Sequence, residues 1–225
     1  MKHYMRVALS IGLVAMSIAL LACSATSQGL NSRQLDNLPA VASDGAKPQP
    51  APRDAPTFDL PLSTADAYAA IPHRRTQMDF AAAQMTAQDK SYLEVAFYLI
   101  DQAIRLRVTA QRAFAQGTGE EAHLLADMAQ VVAYLKTIEP PTALATYHKL
   151  LVQAITDERA FFQEWAEAGH DFPYGRAETL PTHPKVQSSS AALNRAYQIL
   201  MQTYSSEAQH NQDAFFDYHC ALDFM

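Results

Sequence analysis

Residues 86–116 contain neither glycine nor proline, and they place apolar side chains at the spacing of one helix face. Leu93, Phe97, Ile100 and Ile104 recur at steps of three and four residues, which is the period of an amphipathic helix. Gly117 follows this stretch and supplies a helix stop. The spacing therefore predicts a helix from Thr86 or Ala87 to Gln116. It also places Asp101 four residues before Arg105, where the two could form an ion pair along the helix.

Four more helices are predicted downstream. Thr118 and Glu121 have the spacing of a capping box, and the helix they open runs until Pro140 and Pro141. Thr142 can cap the next helix, which carries an apolar stripe through Trp165. A proline-containing loop, 169–182, precedes a helix over about 184–204, and a short helix then runs to about Leu222.

These segments define the fold class. No segment alternates polar and apolar residues over four or more positions, so no sheet is predicted. The connections after the first two helices are about three residues long, which makes those neighbours antiparallel. The prediction is an all-α domain over 58–225, an antiparallel bundle of four long helices plus a short C-terminal helix. Residues 58–85 should lie against its side as irregular or short helical structure.

Composition excludes several classes of function. The 17 Lys and Arg residues against 23 Asp and Glu residues give a net charge of -6, which disfavours a nucleic-acid partner. The chain has no G-x-S-x-G nucleophile elbow, no Gly-Lys-Ser/Thr phosphate loop and no C-x-x-C-H haem motif. No catalytic residue and no cofactor are therefore predicted, and a non-enzymatic binding or interaction module is favoured.

The N-terminus has the pattern of an export signal. Lys2 and Arg6 precede an uncharged apolar run over 7–22, too short for an ordinary membrane-spanning helix. The run ends in Leu20-Leu21-Ala22-Cys23, which resembles the lipobox of bacterial lipoproteins. That resemblance implies removal of residues 1–22 and covalent lipid on Cys23, so that the membrane itself becomes a partner. Ser24, in place of aspartate, implies sorting to the periplasmic face of the outer membrane in a Gram-negative cell envelope.

Residues 23–57 are predicted to be a flexible tether. Five of the 12 prolines and no aromatic residue fall there, so the segment cannot bury enough apolar surface to fold. If Cys23 carries lipid, Cys220 is the one remaining thiol. It is expected either to be buried or to form an intermolecular bond. The partner of the folded domain is expected to be an envelope protein or a small ligand.

The alternative function is metal binding. Glu-x-x-His occurs three times, and ferritin-like bundles use such motifs for two metal ions. Because the motifs lie at helix ends, a di-metal cage is not expected. A looser site would use Glu120 with His123, or Glu207 with His210; otherwise these residues belong to solvated helix ends.

Two polar residues, His148 and Glu158, interrupt the apolar stripe of the third helix. Counting from the turn at Pro140-Pro141 predicts an ion pair of Glu158 with Arg112 or Arg195. The other interpretation is a ligand-binding carboxylate in a cleft. His148 is expected at the core edge or as a ligand residue. The aromatic pairs Phe161-Phe162 and Phe215-Phe216 are predicted to be core, with one member of each pair partly exposed.

Overall fold

The computed structural model describes residue 51, residues 55–71 and residues 74–224. The predicted signal peptide, Cys23 and nearly all of the predicted tether lie outside the described residues. Within the described part the secondary structure is helical and contains no strand, which confirms the all-α prediction. No helix in this part has the length and apolar character needed to cross a membrane.

The helices are numbered in chain order. They are α1 (Thr64–Ala69), α2 (Ala87–Gln116), α3 (Glu121–Thr137), α4 (Ala145–Ala168), α5 (Pro184–Thr203) and α6 (Gln209–Leu222). Short 3-10 turns occupy Thr142–Leu144, Gly169–Asp171 and Leu180–Thr182.

Both ends of α2 follow the sequence signals. Thr86 precedes the helix, and its hydroxyl accepts a hydrogen bond from the Asp89 backbone N–H at 3.1 Å. Gly117 adopts the left-handed conformation, with φ 62° and ψ 50°, and its N–H donates to the Ala113 carbonyl. A residue with a Cβ is disfavoured in that conformation, which is why the helix ends at this position.

The predicted caps of α3 and α4 are wrong. Helix α3 begins at Glu121 behind Glu120, whose side chain makes no capping bond, so Thr118 lies too far upstream to cap it. The Glu121 carboxylate instead accepts a hydrogen bond from the Gly119 N–H at 3.3 Å. Thr142 opens a 3-10 turn, and α4 begins only at Ala145. The predicted starts and ends of the helices nevertheless agree with the structure to within three residues.

The helices close around one core. Helix α2 contacts α1, α3, α4 and α6, while α4 and α5 form the most extensive helix pair. Helix α6 packs against both α2 and α5. The largest fully buried side chains come from four of these helices: Phe97, Ile100, Ile104, Leu135, Tyr147, Phe161, Phe162, Phe215 and Tyr218.

The segment before α2, residues 55–71 and 74–84, is here called the N-terminal arm. Its backbone is held along α2, because Tyr98 Oη donates to the Pro56 carbonyl at 3.0 Å and Arg105 Nε donates to the Leu62 carbonyl at 2.7 Å. Helix α1 is part of the arm and packs on α2. The arm therefore lies against the side of the bundle, as predicted for residues 58–85.

Candidate functional site

An open groove of about 620 Å³ lies between α1 and the C-terminal part of α2. This volume is in the range of small-molecule binding sites. The apolar part of its lining consists of Leu62, Ala69, Ala70, Ile71, Val108 and Ala115.

The groove exists because the facing side chains are small. Ala69 is the last residue of α1 and Ala70 follows it, while Ala115 lies seven residues after Val108 on the same face of α2. Three methyl groups cannot fill the space between two helices that longer apolar side chains would close. The groove is thus a consequence of residue size at positions that face each other only in the folded chain.

Two charged residues border the groove, and among the described residues only Asp66 makes hydrogen bonds. The Asp66 carboxylate accepts hydrogen bonds from the Ser63 hydroxyl at 2.6 Å and the Ser63 N–H at 3.2 Å, which form the capping box of α1. These bonds, and to a smaller extent the charge of Arg112, lower the pKa of Asp66. Arg112 is exposed, and no hydrogen bond or ion pair to it occurs in residues 55–71 and 74–224.

A buried ion pair joins the arm to the bundle. Arg75 Nη2 lies 2.6 Å from Asp101 Oδ2, and the two residues are 4% and 1% exposed. Tyr68 donates to the same carboxylate at 3.1 Å, and Arg75 also donates to Tyr218 Oη at 3.3 Å. Burial raises the pKa of Asp101, and the Arg75 charge opposes that rise. The cluster is buried, and its hydrogen bonds join the arm to α2 and α6.

The predicted pair between Asp101 and Arg105 does not form. Asp101 turns toward Arg75, while Arg105 donates to the Leu62 carbonyl at 2.7 Å and to Gln102 Oε1 at 2.9 Å. An exposed pair along one helix contributes only about 0.3–0.5 kcal/mol, which buried long-range partners easily outweigh.

Glu158 is 3% exposed, and apolar side chains of α2, α3 and α4 line the small cavity beside it. Among the described residues its one hydrogen bond comes from the Ser189 hydroxyl at 3.4 Å. Burial raises its pKa well above the ordinary value; the Arg107 charge opposes this rise and the Asp223 charge adds to it. The adjoining cavity, between α2, α3 and α4, has a volume of about 10 Å³. That is the size of one water molecule and too small for a ligand.

The predicted partners of Glu158 are wrong. Arg112 borders the groove and Arg195 is exposed. The positive charge that acts most strongly on the pKa of Glu158 belongs to buried Arg107. The Arg107 guanidinium donates to the Ala221 carbonyl at 2.8 Å and to Gln111 Oε1 at 3.0 Å rather than to Glu158. The predicted partners followed from a turn placed at Pro140-Pro141. The 3-10 turn Thr142–Leu144 instead delays the start of α4, so Glu158 lies beside a different part of α2.

His148 lies at the core edge. It is half-buried, its Nδ1 forms a 3.0 Å hydrogen bond with Tyr92 Oη, and burial lowers its pKa.

The Glu-x-x-His residues do not converge. His123 is exposed and lies 3.3 Å from Asp127, and Glu120 is exposed at the start of α3. Glu207 accepts from the Gln84 N–H at 2.6 Å, and His210 Nε2 donates to the Gln77 carbonyl at 2.8 Å. The described residues hold no group of three or more side chains suited to a metal ion. The arm is instead held by His210 of α6 and by Glu207, which lies just before that helix.

The aromatic pairs behave differently from each other. Phe161 and Phe162 are both fully buried, so the prediction of one exposed member is wrong for this pair. Phe215 is buried and Phe216 is 37% exposed, as predicted for the second pair. Cys220, also on α6, is half-buried.

Sequence reasoning missed the groove, Arg75 and Arg107. The small side chains at 69, 70 and 115 do not indicate a groove until it is known that α1 packs beside the C-terminal part of α2. Comparison of the chain with protein-family models, with curated proteins and with solved structures finds no match.

Proposed function

We propose that this chain is a lipid-anchored, non-enzymatic binding module of the bacterial cell envelope, with the groove between α1 and α2 as its binding site. The observation that carries the proposal is the groove itself, about 620 Å³ of open, largely apolar space beside an exposed arginine. The lipobox-like Leu20-Leu21-Ala22-Cys23 supports the anchor, and the -6 net charge supports a partner other than nucleic acid.

The buried charges support a binding role over a catalytic one. Asp101 is held by Arg75 and Tyr68 inside the protein, and Glu158 adjoins a space for one water molecule. A catalytic acid or base must reach a substrate within hydrogen-bond distance. Neither carboxylate meets that requirement.

In-cell photo-crosslinking tests the proposal. Benzoylphenylalanine replaces Gln116 at the groove in the full-length chain, and Gln198, exposed on α5, serves as the control position. We expect an irradiation-dependent adduct at 116 and none at 198, read as a mass increase on the purified protein. Absence of any adduct at 116, with normal expression and lipidation, would reject the groove as a binding site.

A further inference from the structure

The open charge at the groove is positive. Asp66 accepts hydrogen bonds from Ser63 in the capping box, whereas Arg112 makes no hydrogen bond among the described residues and acts on Asp66 through its charge alone. A guanidinium with free donors beside apolar surface attracts a carboxylate or phosphate oxygen. A ligand for this groove is therefore expected to combine an apolar body with one anionic group.

The dimensions select a small molecule. Val108 and Gln116, the α2 residues at the two ends of the lining, are separated by about 12 Å along the helix axis. Helix α1 on the other side has only six residues. A specific protein partner needs roughly 1,000 Å² of total buried surface, more than two turns of helix can offer. A single extended hydrocarbon chain, in contrast, can lie along an apolar lining of this length.

We propose that the groove binds a free fatty acid, with its hydrocarbon chain between α1 and α2 and its carboxylate on Arg112. This inference rests on the proposed function, since it names the ligand class of the same site. The open side of the groove leaves the carboxylate end at the surface, where Arg112 is exposed. Binding should be reversible, because a single acyl chain is a weak anchor.

The test uses the full-length lipidated protein in phospholipid nanodiscs, labelled with decanoate that carries a diazirine in its chain. Labelled peptides are located by mass spectrometry, and unlabelled hexanoate, octanoate, decanoate and tetradecanoate compete at free concentrations measured by dialysis. We expect labelling within residues 62–71 or 108–116. Each added methylene should strengthen competition about fourfold until the chain exceeds the groove, after which the gain should stop.

Matched variants separate the two halves of the proposal. Arg112→Gln should reduce labelling about two- to fivefold, the effect of an exposed ion pair, and Arg195→Gln on α5 should not. Ala115→Trp should reduce it roughly tenfold by filling the groove, while Ala133→Trp on the exposed face of α3 should not. Circular dichroism checks that each variant is folded. If Ala115→Trp is not, the smaller change Ala69→Leu fills the same groove in its place.

Three results would overturn the inference. They are equal labelling by the diazirine analogue of decanol, competition that rises with chain length without limit as bilayer partitioning does, and labelling outside the groove. If decanoate fails while the in-cell adduct at 116 persists, the groove binds another ligand and the proposed function stands. If both fail, the proposed function is rejected as well.

Discussion

Removing the Asp101 carboxylate should destabilise the whole protein. Asp101→Ala deletes two hydrogen bonds to an ionised carboxylate, one from Arg75 at 2.6 Å and one from Tyr68 at 3.1 Å. Each contributes about 1.5–3 kcal/mol, and Arg75 is then left buried without a counter-charge. The expected loss is therefore about 3–5 kcal/mol in the free energy of unfolding, the range found for breaking a buried ion pair.

Urea denaturation at neutral pH, followed by circular dichroism and by fluorescence of the single tryptophan, Trp165, measures this loss. Lys185→Ala is the matched control, because its 3.0 Å pair with Asp157 is 42% exposed on the lysine side and should contribute less than about 1 kcal/mol. Replacing both buried partners, as Arg75→Met with Asp101→Leu, should recover most of the loss. An Asp101→Ala loss no larger than the Lys185→Ala loss would refute the reasoning.

Three further predictions concern separate parts of the chain. Because burial raises the pKa of Glu158, the folded state keeps its proton to higher pH than the unfolded state, and stability should fall as pH rises above 4.5. Above that pH the free energy of unfolding of Glu158→Gln should rise relative to that of the wild type, by up to about 1.4 kcal/mol per pH unit. If the urea midpoints of the two proteins change in the same way between about pH 4 and pH 8, the prediction is wrong. Gly175→Ala places a Cβ 2.7 Å from the Trp165 ring and should cost about 1–3 kcal/mol, whereas Ala177→Val in the same exposed loop should cost little by the same denaturation assay. Cys23→Ser should abolish incorporation of labelled fatty acid, and persistent labelling of the variant would show that the lipobox interpretation is wrong.

The helices were predictable because their signals are local. Gly117 ends α2, Pro184 begins α5, and the apolar residues between such signals repeat at helical spacing. The caps at Thr118 and Thr142 were not predictable, because a capping pattern does not fix where the first helical hydrogen bond closes.

The partners of the charged residues could not be predicted from spacing. Asp101 binds Arg75, 26 positions away, and the charge of Arg107 acts on Glu158 from another helix. Such pairs depend on the packing of the arm and of α2 against α4, which no periodicity in the sequence encodes. The groove has the same origin, since it requires Ala69 and Ala115 to face each other across two elements.

The order of contacts along the N-terminal arm determines how the protein responds to a pulling force. A load applied at residue 51 meets Pro56, then Leu62, then Tyr68 and Arg75, and only afterwards Gln84 on Glu207. The contacts open one after another, as in unzipping, instead of sharing the load. We expect single-molecule stretching to release the chain from residue 55 to residue 84, about 100 Å when extended, at a lower force than the bundle. Under load the arm would thus detach first, while helices α2 to α6 stay folded.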